Sequence, residues 1–208
     1  MRNAWLDIPL GDYEGHMSHP SIAQAAMLAD HFERLVLRYM PRSLALIGCA
    51  GGNGLERLAS GQVARIVAVD INPRYVEQTG IRHGRRLQNL ELRCADVQSA
   101  ALAFEPVELL YAALLFEYVD VAVTLAALRR HCRAGAILAT ALQLPYASQA
   151  AVSASPYASL GALAAAISLV APAELTRSAA GCGFSLLDSA SLVAPAGKEF
   201  CFQTFRSI

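Results

Sequence analysis

Charge of one sign is what this sequence lacks most plainly: Lys and Arg number 17 and so do Asp and Glu, for a formal net charge of zero. A chain without a global field has nothing to draw it to a nucleic-acid backbone or an anionic membrane. The local run Arg82, Arg85 and Arg86 reads as a solvated helix face. Cysteine pairs are lacking too. The five cysteines are scattered, odd in number and without a CxxC spacing, which excludes a disulfide framework and a zinc ribbon. They read as small buried hydrophobes in a reducing compartment. Two histidines, His16 and His19, stand close together with no third ligand in view, so no metal is expected. The longest uncharged apolar stretch, LGALAAAISLVAP from Leu160, falls short of the ~20 residues that cross a bilayer and reads as a core or lid helix. The opening MRNAWLDIPLGDYEGHM has no continuous apolar core of the signal-peptide kind. A soluble cytoplasmic protein is the expectation.

What is present is apolar: hydrophobic residues make up 55% and charged ones 16% of 208 residues, enough for one domain with a full core. Short apolar runs at 44–48, 65–70, 90–94, 107–113 and 134–142 read as strands buried on both faces. Between them NGLERLAS, NPRYVEQTGIRHGRRL and YVDVAVTLAALRRHCR carry helical spacing, and AELTRSAAGC adds a helix after Pro172. Alternation of strand and helix predicts an α/β fold, a Rossmann-like, mostly parallel sheet covered by helices on both faces. FSLLDSASLVA and KEFCFQTFRS, joined across PAGK, predict a closing hairpin and an antiparallel last strand, seven strands in all. We expect a single domain: a helical lid over 1–43, a core over 44–208, and an insertion at about 145–170. That insertion either covers the site or buries itself against a second copy in a homodimer.

Gly48, Gly51, Gly52 and Gly54 crowd the point where the first strand gives way to a helix-like pattern, with Cys49 and Ala50 between them. Glycine is entropically costly, so such a cluster predicts close backbone approach to a ligand, and ligands of open α/β sheets bind beyond the strands' carboxyl ends. No Lys stands after the turn, which excludes a P-loop, and Ala50 breaks the GxGxxG of dinucleotide folds. Asp70 ends the second strand twenty-two positions after Gly48, where a carboxylate accepts from ribose hydroxyls; a plain helix cap is the rival reading.

In these features the chain resembles the class I S-adenosylmethionine-dependent methyltransferases over most of its length. Gly48, Ala50 and Gly52 match their first motif, with Leu46 in place of its acid and Ala50 in place of its middle glycine. The resemblance implies that Asp70 holds the ribose, that Ile71 packs on adenine, and that Asp96 and the Val97 backbone read the adenine edge. Cys49 and Ala112 join this cofactor set at the first and fourth strand ends. Phe116-Glu117-Tyr118 comes after the fourth strand where nitrogen-modifying enzymes of DNA bases or glutamine amides carry an Asn/Asp-Pro-Pro-Tyr/Phe quartet, so those substrates are not expected. Glu117, Tyr118 and His16 are the candidate catalytic groups, with a helix cap as the alternative for the first two. Lys198 and Glu199 read as solvated charges at a hairpin tip.

The function expected is transfer of a methyl group from S-adenosyl-L-methionine to an O or N nucleophile of a small molecule, leaving S-adenosyl-L-homocysteine. A non-catalytic S-adenosylmethionine-binding protein and a nicotinamide-dependent reductase are the alternatives. Against the second, Tyr111, Tyr118, Tyr146 and Tyr157 have no Lys four residues on.

Overall fold

The structure is a computed structural model and describes residues 3–145, 150–194 and 197–208. Seven strands form one sheet: β1 (Ser43–Ile47), β2 (Arg65–Asp70), β3 (Leu90–Cys94), β4 (Val107–Ala113), β5 (Cys132–Gln143), β6 (Phe184–Val193) and β7 (Glu199–Ser207). Their spatial order is β3-β2-β1-β4-β5-β7-β6, and β7 alone runs antiparallel to its neighbours. The closing hairpin and the reversed last strand are therefore as the sequence predicts, although Pro195 and Ala196 of its tip lie outside the described residues.

Side chains alternate across each strand, and the two faces bury different sets. Ala45, Ile47, Val67, Val69, Leu110 and Leu138 point to the face covered by α4 (Val121–Arg130) and α5 (Pro172–Gly181), where Leu125, Leu128 and Leu175 are fully buried. Leu44, Leu46, Ile66, Ala68, Leu109 and Ile137 point to the opposite face, under Phe32, Leu35 and Val36 of α2 (Gln24–Tyr39). Burial on both faces explains why the central strands read as unbroken apolar runs. The run at 90–94 departs from this: β3 is the sheet edge and only half buried. The cysteines also divide, since Cys49, Cys132 and Cys201 are buried while Cys94 is exposed.

Two segments expected as helices take a tighter form. NGLERLAS yields only a 3-10 turn, Leu55–Arg57, because Gly54 enters it at φ +96° and Leu58 leaves it in an extended conformation. LGALAAAISL yields a 3-10 run, Ala158–Ala165, whose buried residues are Leu160 and Leu163. A spacing of three suits three residues per turn and offers no stripe for a longer α-helix. α3 (Pro73–His83) starts as expected, with Asn72 capping the Arg74 N–H and Pro73 in the first turn.

The order of strands reverses at β1, with β2 and β3 on one side and β4 and β5 on the other. Above that point lies the N-terminal segment, including α1 (Leu10–Ser18). Trp5 O accepts from Asn72 Nδ2 (2.8 Å), and Tyr75 Oη donates to Ile8 O (3.1 Å). α1 is clasped in turn by the stretch after β5: Ser159 Oγ donates to Asp12 Oδ2 (2.6 Å), and His16 Nδ1 lies 2.8 Å from Ser155 Oγ. Residues 146–149 of that stretch are outside the described residues.

Gly15 sits at the closest point of this clasp, where a Cβ would run into the Tyr157 ring. In an ordinary helix interior, Gly→Ala stabilises by roughly 0.5–1 kcal/mol. Here the sign is expected to reverse. Gly15→Ala should lower stability by about 1–3 kcal/mol through overpacking, and adding Tyr157→Ala should recover most of the loss. Chemical denaturation of both variants checks this; a stabilised single variant contradicts the packing.

Candidate functional site

The carboxyl ends of β1, β2 and β4, together with the loop after β3, enclose a cleft of about 690 Å³ counted to its open mouth. Of the residues expected to hold a cofactor, Gly48, Ala50, Asp70, Ile71, Asp96 and Val97 line this cleft together. Cys49, Gly52 and Ala112 do not. Cys49 is buried with its Sγ towards Ala50 O and Thr79 Oγ1, and Ala112 is fully buried in the core one residue below the lining Ala113.

Gly52 illustrates what most of the glycines do. A Cβ there would lie 2.8 Å from the His83 ring, and one on Gly54 would lie 2.9 Å from the Phe32 ring. One on Gly51 would strike Glu14 and Arg82, which are ion-paired. Three of the four glycines therefore let α1, α2 and α3 close on the turn, and Gly48 alone faces the cleft. α3 also grips the turn directly: Thr79 Oγ1 donates to Ala50 O (2.8 Å), and His83 Nε2 lies 3.3 Å from Gly51 O. Ala50 reaches φ +46° and so keeps the left-handed geometry a glycine would take, at a cost of roughly 1–2 kcal/mol.

Asp70 is 8% exposed and is not the cap of α3, which is Asn72. Its Oδ2 accepts from the Ala50 N–H and its Oδ1 from the Asn72 N–H, both at 2.9 Å. Burial pushes its pKa above the usual carboxylate value, and the backbone N–H groups oppose that shift. Each oxygen retains a further acceptor site at the cleft. Asp96 uses Oδ1 to accept from the Gln98 N–H (2.9 Å).

A second cavity adjoins the first. Trp5, Tyr13, Leu114 and Tyr118 border both, so these four side chains form a shared wall. Trp5 packs edge-on against Tyr118 (centroids 5.0 Å apart) and Tyr13 (5.5 Å). Leu114 stands at φ +53°, a costly conformation for a bulky side chain and one that recurs at functional sites. The three candidate catalytic residues, His16, Glu117 and Tyr118, all line this second cavity, with Gln24, Gln143 and Lys198.

Glu117 is 2% exposed; its Oε1 accepts from the Gln143 N–H (2.7 Å), while Oε2 is buried with no hydrogen-bond partner among the described residues. Burial lifts its pKa to about 7. It caps no helix, because Asp120 caps α4 through the Val123 N–H (2.8 Å). Burial raises the Tyr118 phenol, with Glu117 adding to the effect. His16 is lowered by burial first and by Lys198 second.

Lys198 corrects the expectation of a solvated tip. It is 4% exposed, with Nζ donating to Ala151 O (2.6 Å) and Gln143 Oε1 (3.2 Å), and burial lowers its pKa to about 8. No local pattern in GKEF signals this, since the partners come from 47 and 55 residues away. Trp5 was also missed, although a lone tryptophan in an otherwise unremarkable terminal segment was the available signal.

Two adjoining cavities lie at the switch point of an open α/β sheet, where ligands of this architecture bind. The comparisons narrow this. Residues 46–140 match the family model described as a methyltransferase domain. Among solved structures, the N-methyltransferase NodS from Bradyrhizobium japonicum WM9, in complex with S-adenosyl-L-homocysteine, is similar over 97% of this chain and 89% of its own (TM-score 0.62, 16% identity). An S-adenosylmethionine-dependent methyltransferase from Mesorhizobium loti is similar over 84% and 95% (TM-score 0.62, 16% identity). The [4+2]-cyclase SpnF is similar over 86% and 81% (TM-score 0.65, 14% identity). No curated protein matches this chain. The chain has the fold of the class I S-adenosylmethionine-dependent methyltransferases, as the resemblance implied, and residues 46–140 match the methyltransferase-domain model. Among the described residues, no helix is long and apolar enough to cross a membrane.

The state of Glu117 has a thermodynamic consequence. Its pKa rises from 4.5 to about 7 on folding, so the folded chain binds this proton more tightly than the unfolded one. The cost of ionising it is absent below about pH 4.5, grows through pH 4.5–7 and is complete above that window. Glu117→Gln should therefore match the parent near pH 4 and exceed its stability by roughly 3 kcal/mol at pH 8. Urea unfolding at the two pH values measures the difference; a pH-independent gap would refute it.

Proposed function

We propose that this protein transfers a methyl group from S-adenosyl-L-methionine to an O or N nucleophile of a small molecule by direct displacement. One observation carries the reading: two cavities meet at the wall of Trp5, Tyr13, Leu114 and Tyr118. The first suits an adenosine-bearing ligand. Asp70 offers two oxygens already fixed by backbone donors, Ile71 and Val97 flank the next portion, and Asp96 closes it. Bound S-adenosylmethionine supplies an electrophilic methyl on a sulfonium. The chain's own work is to hold the acceptor, exclude water and receive a proton.

The second cavity suits a small acceptor. Ala151, Val152, Leu160, Leu163 and Ile167 close it, which favours a compact molecule over a polymer. Glu117 Oε2 is the natural proton acceptor, being unpartnered and near neutral in pKa. His16, held against Ser155, and Tyr118 orient the substrate beside it. Ala50 preserves the turn that a glycine would make, which supports a functional cofactor site over a degenerate one. The reversed β7 and the methyltransferase-domain match favour this reading over a nicotinamide-dependent reductase. Five free thiols suit a reducing, cytoplasmic setting.

Calorimetric titration with S-adenosylmethionine, S-adenosylhomocysteine and reduced nicotinamide cofactor tests the first cavity. The sulfur compounds should bind and the nicotinamide should not. Asp70→Asn, which turns one oxygen into a donor facing a backbone N–H, should weaken binding at least tenfold with the far-ultraviolet circular dichroism retained. Incubation with methyl-labelled cofactor and a metabolite extract should label small products. Label confined to protein or nucleic acid, or nicotinamide binding alone, would overturn the proposal.

A further inference from the structure

Among the described residues, no group of opposite charge is bonded to either of two buried charged groups in the second cavity, Glu117 and Lys198. Glu117 Oε2 has no hydrogen-bond partner among the described residues, and burial is the leading influence on its carboxyl. Lys198 has three N–H donors and spends two on neutral carbonyl oxygens, those of Ala151 and the Gln143 side chain. Gln143 stands between the two, giving its backbone N–H to Glu117 and its side-chain oxygen to Lys198. The rest of the lining is largely apolar, including Met17, Leu114, Leu160 and Leu163.

Burying a charge without a partner is costly, and a group in that position drifts towards its neutral form. Both residues do so: Glu117 rises to about 7 and Lys198 falls to about 8. One kind of ligand reverses both drifts at once. It carries a positive group for Glu117 and a negative group for Lys198, on an apolar body.

We infer that the second cavity is an amino-acid site, taking the ammonium of a zwitterion on Glu117 Oε2 and its carboxylate on Lys198 Nζ, with the apolar side chain against Leu160 and Leu163. This rests on the methyltransferase reading and names its acceptor as the amine. Glu117 then takes a proton from the ammonium: an N–H bond breaks, an O–H bond forms at Oε2, and the electron pair left on nitrogen is the nucleophile. Lys198 is a positioning residue that fixes which end of the molecule faces the shared wall.

Trp5 is the only tryptophan and borders both cavities, so its fluorescence reports either site without turnover. The probes are L-leucine, 3-methylbutylamine (the same molecule without the carboxylate) and 4-methylpentanoate (without the amine). A parallel set is L-phenylalanine, phenethylamine and 3-phenylpropionate. In at least one set the zwitterion should bind tenfold or more tightly than either half. Glu117→Gln should abolish the preference for the zwitterion over the acid, leaving affinity for the acid within about twofold. Lys198→Met should abolish the preference for the zwitterion over the amine. S-adenosylhomocysteine, titrated by the same signal, should bind both variants as it binds the parent, which confirms their fold. An amine or acid that binds as well as the zwitterion overturns the inference. So does a complete lack of response to both sets while S-adenosylhomocysteine still responds, and that result leaves the methyltransferase reading standing. Loss of the S-adenosylhomocysteine response in the parent refutes that reading as well.

Discussion

The buried carboxylate of Asp70 is the constraint on which the site depends. It ends β2, yet it reaches sideways to the turn after β1 and forwards to the residue that caps α3. A single side chain thus fixes three segments at the point where the strand order reverses. It is tolerated in a low-dielectric position because backbone N–H groups meet both oxygens, and hydrogen bonds to an ionised acceptor are worth more than neutral ones. Without them the glycine turn would have only Thr79 and His83 to hold it to α3.

Glu117 makes the opposite use of burial. It is as deeply enclosed as Asp70, but one oxygen has a backbone donor and the other has none. Asp70 has a backbone donor on each oxygen, which partly offsets its burial, and therefore suits a binding role. Glu117 is not satisfied, and a group poised between its two protonation states is suited to accept a proton. Two carboxylates, one at the end of β2 and one in the turn after β4 with β1 between them, thus differ in how many N–H groups meet them, with no difference in chemistry between the side chains themselves.

Much of this was legible in the residues because it is local. Strands buried on both faces must be apolar throughout, so LALI, RIVAV and VELLYAA declared themselves, and Asn72-Pro73 marked the start of α3. Asp70 and Asp96 could be expected at the cleft they line because a strand end is a defined place for a ligand in this architecture. What escaped depends on distant partners. The glycines suggested a ligand at every position, whereas Gly51, Gly52 and Gly54 are small for the sake of Glu14, Arg82, His83 and Phe32, none adjacent in sequence. NGLERLAS has a helical pattern, but the same packing pins it into a single 3-10 turn. Lys198 looked solvated because a charge beside a Pro-Ala-Gly turn usually is, whereas the end of β5 and the stretch after it supply its partners.

The covering segments complete the argument, because neither cavity is closed by the sheet alone. Trp5 and Tyr13 come from the N-terminal segment, while Val152, Leu160 and Leu163 come from the stretch after β5. Each covering piece holds the other: Gly15 admits the Tyr157 ring, Asp12 accepts from Ser159, and His16 meets Ser155. These three contacts, at positions 12, 15 and 16, cluster within about one turn in the middle of α1. Its Tyr13 stacks on Tyr75 and borders the cleft, and its His16 borders the neighbouring cavity. Movement of α1 would therefore open both cavities together. Both cavities are therefore walled in part by a single nine-residue helix.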